Sequence, residues 1–155
     1  HDNILILRTL SKGYSLAGLR FGYGIGAKSL IEPMMFKTRD SYNTDHIAQS
    51  LATAAIDSYE YARENCERIR KSREQLRADL QKLGLTAPMS QSNFILCQIP
   101  ESIGAEKLYL LLKQRNILVR YFDQDRLRDK LRISIGTDAE NATLVAAIKE
   151  LGQLV

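Results

Sequence analysis

"LRTLSKGYSLAGLRFGYGIG", residues 7–26, is the stretch on which the reading of the fold turns. It starts inside an apolar run, Asn3 to Leu10, that has the make-up of a strand and breaks at Ser11-Lys12 into a loop of small residues. Arg20 follows eight residues after Lys12, between Gly18 and Gly22. A lysine at the carboxyl end of a strand in an α/β sheet points into the crevice where such folds bind ligands. Taken singly, such a lysine is usually a surface residue and such an arginine an ion-pair partner. Two cations and two hydroxyls, Thr9 and Ser11, in one short stretch imply a bound anion instead.

The residue types narrow that anion. An arginine supplies a planar, permanent charge with a forked donor set, and with hydroxyls and loop N–H groups it suits a phosphate. Glycines beside it let the backbone come close. A lysine next to an anion site can also do covalent work, joining a carbonyl as a Schiff base when its amine is partly neutral. A phosphate-bearing aldehyde satisfies every group in the segment at once, and pyridoxal 5'-phosphate is that molecule.

Outward from this stretch, the 155 residues suffice for one domain with a core or for two small pieces. Hydrophobic content of 45% and charged content of 26% are those of a globular protein. No apolar run approaches the roughly 20 residues of a membrane helix, so no membrane partner is expected. The net charge of +4 is mild and mixed in sign, and no nucleic-acid partner is expected. Cys66 and Cys97 have no CxxC spacing and read as reduced cysteines of a cytoplasmic protein. His1 and His46 lie in no ligand spacing, so no metal is expected. The run "ILIL" at 4–7 reads as a strand covered on both faces, and with few strands nearby to pair it the chain reads as the back part of a longer protein.

The remaining pattern is α/β. Residues 20–25 read as a second strand, and 27–40 as a helix interrupted by Pro33. Thr44 is placed to cap a helix to about Ile56 with Ile47, Leu51 and Ala55 on its inner face. Ser58 to Leu83 is the clearest helix, with Ala62, Cys66, Ile69, Leu76, Leu80 and Leu83 at helical spacing and Gly84 closing it. Its charge run "RENCERIRKSRE" reads as a solvated face with i,i+4 pairs such as Glu64–Arg68 and Glu67–Lys71. Strands are expected at 93–99, 117–122 and 131–136 and a helix at 104–115. Thr137 with Glu140 makes a capping box for a last helix whose buried face carries Leu144, Ile148 and Leu151. Two domains are expected: an incomplete 1–57, and a small α/β domain, 58–155, that includes the long helix.

"TLSKGYSLAGLRFGYGIG" resembles the active-site segment of fold-type I pyridoxal-phosphate aminotransferases, most closely the histidinol-phosphate aminotransferase branch. "SYNTDHIAQ" (41–49), "SQSNFILCQI", "NILVRYF" and "KLRISIGT" resemble later segments of that family in the same order. The resemblance implies the C-terminal portion of that fold: the end of the large-domain sheet, the connecting long helix, then the small domain. It implies Lys12 as the cofactor-linked catalytic lysine, with Thr9, Ser11 and Arg20 on the cofactor phosphate. It implies Arg120 and Arg132 on the substrate anion, which is the phosphate of histidinol phosphate or the carboxylate of glutamate or 2-oxoglutarate. For Arg132, an ion pair with Asp138 is the alternative.

An amino donor, a 2-oxo acid and a homodimer partner follow from the same resemblance. So does a piece with little or no activity alone, since the family's aspartate on the pyridine nitrogen and the ring-stacking aromatic come from sequence before Lys12. Two rival readings remain: a decarboxylase of a phosphorylated amino acid on the same fold, and a non-catalytic interaction module that keeps the motif.

Overall fold

The structure is a computed structural model that describes residues 1–38 and 40–152. The chain divides into two compact units, 1–66 and 67–155, with the division inside the long helix.

In the first unit, β1 (Leu5–Thr9) pairs antiparallel with β2 (Gly22–Gly26), Leu5 opposite Gly26 and Thr9 opposite Gly22. The sequence suggests a strand covered on both faces. In this chain β1 is instead largely exposed: Leu7 is 74% and Ile6 51% accessible. Among the described residues β1 pairs with β2 alone, in a two-stranded sheet whose apolar side chains are left without cover. Gly22 permits the close pairing at the loop end, where a Cβ would stand 2.8 Å from the Arg8 carbonyl oxygen.

Helix α1 (Lys28–Lys37) contains Pro33 beyond its first turn, so the Ser29 carbonyl has no N–H to accept from at that position. Helix α2 (His46–Asp57) is capped by Asp45, whose carboxylate accepts the Ala48 N–H at 2.7 Å. Thr44, the expected cap, accepts instead from the Gln49 side chain at 2.9 Å. The buried face of α2 is Ala48 and Ala52, while Ile47 and Leu51 face solvent. Two apolar stripes run side by side on this helix, and periodicity alone does not choose between them.

Helix α3 (Tyr59–Lys82) ends as its sequence implies. Gly84 takes φ +82°, its N–H donates to Gln81 O at 3.0 Å, and Leu85 N–H donates to Leu80 O at 3.1 Å, closing the terminus with both crossed hydrogen bonds of a glycine cap. Four ion pairs on α3 run at i,i+3: Arg63–Glu60, Arg70–Glu67, Arg77–Glu74 and Lys82–Asp79. Glu67 therefore takes Arg70 as its partner. Exposed pairs like these contribute little to stability each.

In the second unit, β3 (Phe94–Gln98), β4 (Arg120–Tyr121) and β5 (Lys130–Ser134) form an antiparallel sheet in the order β3-β5-β4. Ile95 stands opposite Ile133 and Cys97 opposite Leu131, all at 0–1% exposure. Their common face packs with Leu76 and Leu80 of α3, Leu108 and Leu112 of α4 (Ala105–Gln114), and Leu144, Ile148 and Leu151 of α5 (Asp138–Gly152). With a side-chain period of two, the opposite face carries Leu96 and Arg132. One residue within the core stripe of α3 is charged: Arg73 is 5% exposed, donating to the Ser92 carbonyl at 3.0 Å and to Glu74 at 3.2 Å. It falls at the helical spacing between Ile69 and Leu76, a place an apolar pattern passes over.

The capping box at α5 forms as expected: Glu140 accepts the Thr137 N–H at 2.7 Å and the Thr137 hydroxyl accepts the Glu140 N–H at 3.3 Å. The Thr137 N–H and hydroxyl hold the Glu140 carboxyl below its ordinary range, as Arg77 and Arg73 do for Glu74 and Lys82 and Gln75 for Asp79. A carboxylate with a depressed folded-state pKa stabilises the fold above its unfolded value of about 4, and loses that contribution as pH falls through the folded value. The thermal midpoint of the chain is therefore expected to hold steady down to about pH 5 and fall below about pH 4. Glu140→Gln is expected to lower the midpoint at neutral pH and to shrink its drop into acid, followed by circular dichroism. An unchanged acid dependence in the variant would remove Glu140 from that account.

Candidate active site

Residues 10–21 form a closed loop between β1 and β2. Leu10, 1% exposed, anchors it: its N–H donates to Phe21 O at 3.3 Å and its carbonyl accepts Leu16 N–H at 3.1 Å. Lys12 stands two residues past that anchor, exposed, with its carbonyl accepting Ser15 N–H at 3.0 Å. Ser15 and Arg20 both adopt φ +57°, the left-handed region, which costs a residue with a Cβ on the order of 1 kcal/mol or more. Arg20 ends a single 3-10 turn, Ala17–Leu19, and its guanidinium donates to the Ala17 carbonyl at 3.1 Å.

Thr9 and Ser11 meet. The Thr9 hydroxyl lies 2.9 Å from Ser11 Oγ and accepts the Ser11 N–H at 3.1 Å. When Thr9 donates to Ser11, the Ser11 hydroxyl proton is free to donate outward. Arg20 commits one of its five N–H donors to the loop, leaving four. No acidic residue occurs between Asp2 and Glu32, so nothing in this segment neutralises Arg8, Lys12 or Arg20. Among the described residues none of the three makes an ion pair, and donors and cations so placed fit an anion.

The glycines divide their work differently from the sequence expectation. Gly22 serves the close strand pairing, and a Cβ at Gly18 would meet nothing within 4 Å. Beside the loop, Arg20 and Phe21 line an open cleft of about 650 Å³ with Tyr42, Asn43, Thr44 and Asp45, the one acid there, whose carboxylate accepts the Ala48 N–H at 2.7 Å.

In the second unit, Arg120 and Arg132 are directly opposite one another on β4 and β5. Both are exposed. Among the described residues no ion pair joins Arg132 to Asp138, whose carboxylate accepts the Ser72 hydroxyl at 2.8 Å. Among the described residues neither arginine has a carboxylate partner. Like charges facing each other across a ladder are destabilising, yet here two stand together. Aromatic rings back them: Arg120 Cζ lies 5.2 Å from the Phe122 ring centre, and Arg132 Cζ lies 5.6 Å from Phe122 and 5.4 Å from Phe94.

The sequence reading passed over Phe94, Phe122 and Arg73. The signal for Phe122 was present, because a residue two positions after Arg120 shares its face of a strand. Among the described residues no group of His, Cys, Asp and Glu is placed to hold a metal ion, and no helix is long and apolar enough to cross a membrane.

Comparison with known proteins places these segments. The family model for aminotransferase class I and II matches residues 1–148. A histidinol-phosphate aminotransferase from Nostoc sp. is 48% identical over 151 residues, covering 97% of this chain and 42% of the relative. One from Microcystis aeruginosa is also 48% identical over 151 residues, covering 97% of this chain and 43% of the relative. The crystal structure of histidinol-phosphate aminotransferase from Sinorhizobium meliloti in complex with pyridoxal-5'-phosphate superposes with a TM-score of 0.84 at 28% identity, over 99% of this chain and 42% of that one. The chain thus spans less than half the length of the curated relatives it matches. With a family model aligned over nearly all of its residues and relatives at close to half identity, this chain belongs to the class I and II aminotransferases.

Proposed function

We propose that this chain carries the cofactor-linking lysine and the small domain of a pyridoxal-phosphate-dependent aminotransferase that exchanges an amino group between histidinol phosphate and the 2-oxoglutarate/glutamate pair. The single observation that carries the reading is the uncompensated donor set of one closed loop, Thr9, Ser11, Lys12 and Arg20. Ser11 and Thr9 supply hydroxyls to the cofactor phosphate and Arg20 its forked charge. Lys12 Nζ would hold the cofactor's aldehyde carbon and, as a free amine, would take the proton from the substrate Cα and deliver it to that cofactor carbon. When bound, the cofactor supplies the electron sink for that deprotonation. Arg120 and Arg132 hold the phosphate or carboxylate of the substrate. The working enzyme is a cytoplasmic homodimer, and the 155 residues alone turn over little or no substrate.

The domain reading stays with this proposal: residues 1–57 close the large cofactor-binding domain, and 58–155 make the small one with its connecting helix. The test is an assay of the full polypeptide, as the cell makes it, with histidinol phosphate and 2-oxoglutarate. Glutamate formation supports the reading. Carbon dioxide from a phosphorylated amino acid, with no glutamate formed, would give the site to a decarboxylase instead. The isolated 155 residues in the same assay are expected to yield no glutamate.

A further inference from the structure

The face of the small sheet that carries Arg120 and Arg132 poses a physical problem of its own. Two guanidiniums occupy directly opposed positions on adjacent strands, where side chains lie about 5 Å apart at Cβ and like charges repel. The acids that flank these strands in sequence are engaged elsewhere: Asp123 and Asp125 with Arg128 at 2.7 and 2.8 Å, Asp129 with Lys130, Asp138 with Ser72 and Glu140 with Thr137. What both guanidiniums share is one half-buried ring, Phe122, at 5.2 and 5.6 Å. An aromatic face attracts a cation through its quadrupole. Unlike a carboxylate, it cancels no charge and occupies none of the in-plane N–H donors, so both arginines keep their donors for a ligand.

We propose that Phe122 is a positioning residue, whose ring holds Arg120 and Arg132 side by side against their repulsion so that the two act as one receptor for the substrate anion. Phe94, touching Arg132 alone, secures one arm; Phe122 joins the two. The inference rests on the proposed role of Arg120 and Arg132 as anion ligands.

The test is a titration of the full chain with inorganic phosphate, following the arginine Nε–Hε nuclear resonances assigned through Arg120→Lys and Arg132→Lys. In the parent both resonances are expected to move with one common midpoint. Phe122→Leu, which keeps an apolar side chain but no ring, is expected to raise the midpoint about fivefold or more and to split the two responses, as loss of two exposed cation–π contacts implies. Phe122→Tyr, which restores the ring, is expected to return within about twofold of the parent. Circular dichroism melts of all variants show that the fold is retained. If Phe122→Leu titrates like the parent, or Phe122→Tyr fails as badly as Phe122→Leu, the positioning role is overturned while the anion role of the arginines stands. If neither parent resonance responds to phosphate, the anion role falls and the positioning role falls with it.

Discussion

Changing Lys12 to alanine is expected to abolish the visible band that the parent chain develops with pyridoxal phosphate. The side chain is exposed on a loop pinned by buried Leu10, and the hydrogen bond that ties Lys12 to Ser15 is made by its backbone carbonyl. The variant should therefore fold as the parent does, and its loss is a loss of chemistry. Borohydride reduction followed by peptide mass mapping is expected to fix the cofactor on Lys12 in the parent and nowhere selectively in the variant. In the full polypeptide, turnover is expected to fall by at least about 10²–10⁴-fold, the usual contribution of a positioned acid–base group, before the covalent contribution is counted. Equal, weak bands in parent and variant would mean that scattered surface lysines react, and these 155 residues would then be a scaffold for a site completed elsewhere.

The largest stability effect is expected at Leu80. Its side chain is fully buried among the sheet and helices of the second unit. Leu80→Ala removes three buried carbon atoms and leaves a cavity, a change that typically costs about 2–5 kcal/mol. Against a total stability of about 5–15 kcal/mol for a domain, that is enough to leave a measurable unfolded fraction. Urea unfolding followed by circular dichroism measures it.

Cys97 supplies an independent probe. It is fully buried, and burial pushes its thiol up to about 12, so it stays protonated and unreactive while the sheet is closed. Leu80→Ala is expected to speed its labelling in native buffer, whereas Leu118→Ala, at a side chain 79% exposed, is expected to shift stability by no more than about 0.5 kcal/mol. A loss at Leu80 below about 1 kcal/mol would mean that α3 is not packed on the sheet as described.

Much of the second unit was legible beforehand because its elements are locally specified. The Thr137–Glu140 box, the Gly84 cap and the 3.6-residue stripe through Leu76 and Leu80 each depend on contacts within a few residues, so sequence spacing and structure report the same thing. Arg73 escaped because a charge inside a core stripe is justified only by a partner brought from far along the chain, the Ser92 carbonyl. On α2 two apolar stripes compete, and tertiary packing selected the alanines. The exposure of β1 is not legible in the sequence for the converse reason: an apolar strand shows that its faces are made to be covered, but not what covers them.

By itself, then, the sequence determined the chemical character of the Lys12 loop. The types and spacing of Thr9, Ser11, Lys12 and Arg20, and the absence of acids around them, are properties of covalent order and need no fold to be read. It also determined the helix ends, where capping is local. Only the tertiary structure decided that Arg120 and Arg132, twelve residues apart in the chain, face each other across a ladder with one phenylalanine ring beneath both. Strand register is set by how the whole sheet buries its apolar face, and a shift of one residue would send these arginines to the other side.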